Sequence, residues 1–135
     1  MSILVGYIPT AEGEAAFASA IEEASRRDEK LIVLNSSRGE SLVDNRYAQP
    51  EQVAALEQRL QEAKVRYELV QPLRGHDAAE EVLEAAENYQ AELIVIGLRK
   101  RSPVGKMIMG STAQRILLQA TCAVLAVKAE QHRAL

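Results

Sequence analysis

Residues 93–127 read LIVIGLRKRSPVGKMIMGSTAQRILLQATCAVLAV, and this stretch decides the fold. It opens and closes on short apolar runs of strand length, Leu93 to Ile96 and Cys122 to Val127. Between them lie a basic loop containing glycine and then a helical stripe that opens at Gly110-Ser111-Thr112 and is expected to turn Ile116, Leu117 and Ala120 inward. A strand that reaches the next strand through a helix needs a crossover connection, so these two strands are expected to run parallel.

The same alternation extends to the N-terminus. Ile3 to Ile8 reads as a first strand, and Phe17, Ala20, Ile21 and Ala24 recur at helical spacing among Glu22, Glu23, Arg26 and Arg27, which predicts an amphipathic helix over Glu12 to Arg27. Leu31 to Leu34 is a second strand. The polar segment Ser36 to Gln49 has no clear period and contains Gly39, so it reads as a loop, close to the length at which loops usually have a task. Pro50 suits the first turn of a second helix, with Val53, Leu56, Leu60 and Ala63 on one face. Tyr67 to Val70 is the third strand. Asp77 with Glu80 forms a capping signal for a third helix lined by Val82, Ala86 and Tyr89. The expected architecture is an α/β, Rossmann-like three-layer domain over residues 1–135, with a five-stranded parallel sheet and helices on both faces.

Composition narrows the function. With 47% hydrophobic and 26% charged residues the chain has an ordinary globular balance. No apolar run approaches the ~20 residues that a membrane helix requires, so no membrane partner is expected. The apolar run Ile3-Leu4-Val5 begins at once, with no basic region or cleavage site before it, and Cys122 is the single cysteine. Both features predict a cytoplasmic protein without an internal disulfide. The net charge of −3 argues against general affinity for nucleic acid but conceals an asymmetry. Residues 93–129 contain no Asp or Glu and carry Arg99, Lys100, Arg101, Lys106, Arg115 and Lys128, while the remainder of the chain has a net charge of −9. The simplest physical meaning is an anion-binding edge on an acidic protein; a solvated basic loop is the plainer alternative.

In parallel α/β sheets ligands bind beyond the carboxyl ends of the strands, which directs attention to the loops after the first and fourth strands. Gly97 lets the chain turn tightly or approach a ligand, and Gly110-Ser111-Thr112 offers helix N-terminal N–H groups and two hydroxyls to an anion. The segment is not a Walker loop, because Met109 precedes Gly110 where that motif places Gly-Lys ahead of Ser or Thr. His76 and His132 are far apart, and no spacing of His, Cys or carboxylates reads as a metal site. Ser111 lies in no Gly-x-Ser-x-Gly elbow, so no catalytic residue is assigned.

The segments ELIVIG, GSTAQRIL and CAVLAVK together resemble the C-terminal signature of the universal stress protein family, and the similarity spans essentially the whole chain. That signature, G-x2-G-x9-G-[ST], is met by Gly97, Gly110 and Ser111, with Lys100 where the second glycine stands. Family members that carry it bind ATP or a related nucleotide and tend to have an acidic residue at the end of the first strand, where this chain has Ile8. The resemblance implies ATP or AMP as ligand, with Mg2+ only as the nucleotide's companion. Gly6 and Tyr7 would border the adenine, Ser36 would do so from the second strand, and Ile96 would sit beneath the base. Gly97, Arg99, Lys100, Gly110, Ser111 and Thr112 would surround the phosphates. It also implies a homodimer formed through the last strand. Two functional readings follow: a nucleotide-binding stress-response sensor or adaptor with at most very slow ATP hydrolysis, and a dimeric protein-interaction module that has lost nucleotide binding.

Overall fold

Successive side chains of a strand point to opposite faces of a sheet, and in this protein both sets are apolar along the central strands. The computed structural model of the chain describes residues 1–36, 48–72, 77–98 and 110–129. The elements are β1 (Ser2–Gly6), α1 (Ala11–Arg27), β2 (Lys30–Leu34), α2 (Pro50–Glu62), β3 (Tyr67–Val70), α3 (Ala78–Asn88), β4 (Ala91–Leu98), α4 (Ser111–Gln119) and β5 (Ala123–Lys128). All strand pairs are parallel, in the order β3-β2-β1-β4-β5.

Ile3, Val5, Leu31, Val33, Leu93 and Val95 face α1 and α2, where they meet Phe17, Ala20, Leu56 and Leu60. Their neighbours Leu4, Ile32, Leu34, Ile94 and Ile96 face α3 and α4, where they meet Val82, Ala86 and Ile116. Each such side chain contributes about 1.5–3 kcal/mol by leaving water, which is why an alternating α/β pattern collapses into three layers. The expected fold class is therefore observed.

Local chemistry fixes the helix starts. Thr10 Oγ1 accepts from Gly13 N–H at 3.1 Å to cap α1, and Asp77 Oδ1 accepts from Glu80 N–H at 2.9 Å to cap α3. Helix α2 begins at Pro50, and Gln49 N–H donates to Gln52 Oε1 at 2.7 Å.

Three details differ from the sequence expectations. Strand β1 ends at Gly6, because the Ile8 carbonyl turns to accept Thr10 N–H at 2.8 Å and opens the link to α1. Cys122 lies just before β5, half-buried, with burial pushing its thiol pKa up. Leu117 is not inward: on α4 only Ile116 is fully buried, and the next residue, rotated by about 100°, falls outside the contact stripe. Residues 37–47 of the expected loop lie outside the described residues.

Candidate functional site

Because β1→β2 and β4→β5 step in opposite directions across the sheet, the connections after β1 and β4 diverge at their carboxyl ends and leave a crevice between them. Val5 pairs with Val95, so Gly6 and Tyr7 lie level with Ile96 and Gly97 at its floor. Side-chain alternation then sorts these residues. Ile96 packs on the α3/α4 side, and the Cα of Gly6 looks the same way, since a Cβ there would lie 3.6 Å from Val82 Cγ2.

Tyr7 and Gly97 look toward α1. The Tyr7 ring meets Phe17 edge-on at 5.7 Å, and its hydroxyl donates to Glu14 Oε2 at 2.8 Å. Burial, followed by the bond to the Glu14 carboxylate, pushes this phenol well above its ordinary pKa. Glu14 also pairs with Arg59, whose guanidinium lies 4.6 Å from the Phe17 ring centroid. Tyr7, Glu14 and Arg59 line an open cavity of about 380 Å³ between α1 and α2. It lies across the sheet from α4, and its charged groups satisfy one another. Only the backbone of Tyr7 therefore borders the crevice.

Gly97 has a clear structural cause. A Cβ there would lie 2.1 Å from the Glu12 carbonyl oxygen, so the absent side chain admits the first turn of α1 against β4. Gly13, which sequence reasoning missed, permits a different close approach, of α1 to the link that follows β1: its Cβ would lie 1.8 Å from the Ile8 carbonyl oxygen. A glycine inside the helical pattern AEGEAAF was the available signal.

Gly110 is different. Its φ of −70° suits any residue, and nothing among the described residues comes within 4 Å of a Cβ placed there. It is the N-cap of α4 and offers no capping side chain, and the first turn of α4 holds no acid, whereas the first turns of α1, α2 and α3 all do. Ser111 and Thr112 are exposed in that turn. Among the described residues no side chain occupies these helix N–H groups, an arrangement that suits an anion. One turn on, Arg115 bonds Asp77 Oδ2 at 2.7 Å and ties α4 to the start of α3. Arg99 and Lys100, like His76, lie outside the described residues.

Near the ends of β1 and β2, Ser36 is buried, and its Oγ makes no hydrogen bond among the described residues. Beside it, Asn35 is 1% exposed and joins three strand ends. Sequence reasoning missed it too, since its partners are distant in the chain. Ile8 is half-buried in the link between β1 and α1. Among the described residues, no group of His, Cys, Asp and Glu could hold a metal ion, and no helix is long and apolar enough to cross a membrane.

The profile of the universal stress protein family matches residues 1–128. The chain belongs to the universal stress protein family. A universal stress protein of Mycolicibacterium smegmatis is 48% identical over 126 residues, which cover 93% of this chain and 96% of that protein. Among solved structures, a universal stress protein from Archaeoglobus fulgidus superposes with a TM-score of 0.80 at 28% identity, covering 95% of this chain and 98% of its own. The structure of the universal stress protein from Archaeoglobus fulgidus in complex with dAMP matches with a TM-score of 0.71 at 22% identity, over the same shares. In this universal stress protein, Gly97 is the penultimate residue of β4 and Gly110 immediately precedes α4.

Proposed function

We propose that this protein binds an adenine nucleotide, ATP or AMP, across the crevice between β1 and β4 and acts as a stress-response sensor or adaptor. The observation that carries the reading is the start of α4. Among the described residues no side chain caps it, its first turn is free of acid, and it opens on a glycine that no described part of the protein requires. A helix N-terminus left in this way suits a phosphate, which accepts several N–H bonds at once. The buried Ser36 hydroxyl, which has no partner among the described residues, supplies a second group suited to a ligand. Solved universal stress proteins with dAMP, cAMP or AMP bound lend the reading its ligand class.

In this reading Gly6 and the Tyr7 backbone border the base, Ile96 lies beneath it, and Ser36 approaches from β2. Gly97, Gly110, Ser111 and Thr112 hold the phosphates together with Arg99 and Lys100. Lys100 adds a cation where the family keeps glycine, and Ile8 replaces a carboxylate near the ribose. The grip therefore falls more on phosphate charge than on sugar. Mg2+ accompanies the nucleotide only, since Ser111 supplies one oxygen and the surrounding segment, residues 93–129, has no acid. Turnover is accordingly very slow. The test is the nucleotide retained through purification, identified by mass, together with calorimetric titration of ATP and AMP. Protein that is consistently empty and gives no heat with either nucleotide refutes the reading.

A second reading is favoured by one observation. The apolar strand β5 is an edge of the sheet, and Leu125 on it and Leu118 on α4 are 36% and 77% exposed. An uncovered apolar edge invites a second strand, which makes a homodimer through β5 part of the proposal and an interaction module its alternative. A monomer by light scattering at micromolar concentration, or a dimer unchanged by Val127→Pro, rejects it.

A further inference from the structure

We infer that Asn35 and Gln71 are a positioning pair that builds the base end of the site before a ligand arrives, an inference that rests on the adenine-nucleotide reading above. Asn35 follows β2, and its backbone N–H donates to the Val70 carbonyl of β3 at 2.9 Å. Its side chain reaches the other way: Nδ2 donates to the Tyr7 carbonyl beyond β1 at 2.9 Å. The Asn35 Oδ1 accepts from Ala48 N–H at 2.7 Å and from Gln71 Nε2 at 2.9 Å. Gln71 Nε2 also donates to the Ala48 carbonyl at 3.1 Å. The two amides thus hold both backbone polar groups of Ala48 and fix the Tyr7 carbonyl against the ends of β2 and β3.

The chemistry calls for an amide at position 35. Ala48 N–H can only donate and the Tyr7 carbonyl can only accept, so one planar group must do both, which sets the orientation of Asn35. A carboxylate would accept without donating, and an apolar side chain would leave buried groups unpaired. Ser36 is the next residue, so the same clamp sets the backbone that carries its unpartnered hydroxyl. Through Tyr7 and Ser36 the pair acts on the adenosine end of the ligand. The phosphate end depends on α4, which these bonds do not touch.

Adenosine, AMP and tripolyphosphate are titrated calorimetrically into wild type, Asn35→Ala and Gln71→Ala, with exchange of the Ala48 amide followed by NMR. Losing a buried positioning bond should weaken adenosine and AMP roughly tenfold in Asn35→Ala and about threefold in Gln71→Ala, while tripolyphosphate changes less than about twofold. Ala48 exchange should quicken in both variants. If Asn35→Ala does not fold, Gln71→Ala carries the test on the same criterion. A folded variant that binds adenosine as wild type does overturns the inference, as does a variant in which all three ligands weaken together, since a merely structural role predicts uniform loosening. Wild type that binds tripolyphosphate but neither adenosine nor AMP also overturns it. Wild type that binds none of the three removes the nucleotide reading as well, so the two failures are distinguishable.

Discussion

At the β1–β2–β3 end of the sheet edge the main chain is saturated: the Tyr7 carbonyl, the Ala48 peptide and the Val70 carbonyl are all held by Asn35 or Gln71 in buried surroundings. At the β4–α4 end the reverse holds among the described residues, with no side-chain cap on the helix, exposed Ser111 and Thr112, and nothing within 4 Å of a Cβ at Gly110. In the first region folding itself pairs these backbone groups, and the Ser36 hydroxyl is the exception, without a partner among the described residues. In the second, no described side chain caps the helix start. A buried polar group must find its partners within the protein, whereas an exposed helix start can wait for an anion at little cost. Glycines report the same division, and substituting them is the most direct way to break it.

The largest effect is expected at Gly13. A methyl at 1.8 Å from the Ile8 carbonyl cannot be absorbed by side-chain motion, because the obstruction is backbone, so Gly13→Ala should cost on the order of 3 kcal/mol or more. Gly97→Ala, at 2.1 Å from the Glu12 carbonyl, should behave similarly. Urea unfolding measures both; a wild-type midpoint in Gly13→Ala would mean that α1 does not approach the Ile8 backbone as described, and one in Gly97→Ala that it does not approach β4. Gly110→Val gives the contrast. With nothing nearby to clash, it should change stability by less than about 1 kcal/mol. A side chain standing where a phosphate approaches should nevertheless lower AMP affinity at least tenfold, or about 1.4 kcal/mol. Unchanged calorimetric titration of that variant would remove the phosphate from α4.

How far the sequence carried this picture follows from the range of the interactions. Apolar periodicity is local, so the alternation of strands and helices was legible, as were the caps of Pro50 and Asp77. The signature residues Gly110 and Ser111 were legible because a strand, a loop and a helix start occur in that order. The Asn35–Gln71 clamp was not, since it joins residues 36 positions apart through side chains that leave no periodic trace. Gly97 was read for its freedom at a turn or beside a ligand, and its partner proved to be the backbone of α1. Alternation turns the Tyr7 ring toward α1, a direction that the sequence alone does not give. Leu117 shows the resolution limit of a helical stripe, where one residue of rotation separates core from surface.

The Tyr7 phenol sharpens the comparison on the saturated side. Its pKa is raised by burial and then by Glu14, so the folded protein keeps a proton that the unfolded chain releases. The stabilisation is complete below the ordinary tyrosine value of about 10, and it is lost progressively as pH rises above that value toward the folded one. Stability should therefore fall between pH 9 and 11 more steeply in wild type than in Tyr7→Phe. At neutral pH the Phe variant should lose only the bond to Glu14, about 0.5–1.5 kcal/mol. Parallel pH profiles for the two proteins would show that the phenol is not held as described.

The smallest effect is expected at Arg115, where the open end of the edge meets the start of α3. Its side chain is 39% exposed and Asp77's is 52%, so their pair is screened by solvent, and Arg115→Ala should change stability by at most about 0.5 kcal/mol. The informative quantity is the titration of Asp77. Its carboxyl is held below the ordinary value first by the Glu80 N–H, as the cap of α3, and next by the Arg115 guanidinium. A depressed carboxyl contributes stability that is present above its unfolded value and lost as pH falls through the folded one, so at neutral pH the contribution is complete. Removing Arg115 should raise the Asp77 pKa only part of the way, because the cap remains, and added salt should move wild type toward the variant. If Asp77 in Arg115→Ala returned fully to the ordinary range, the cap bond would be absent in solution. If it did not move, α4 would not be tied to α3, and the anion-binding end of the edge would be less constrained than the geometry indicates.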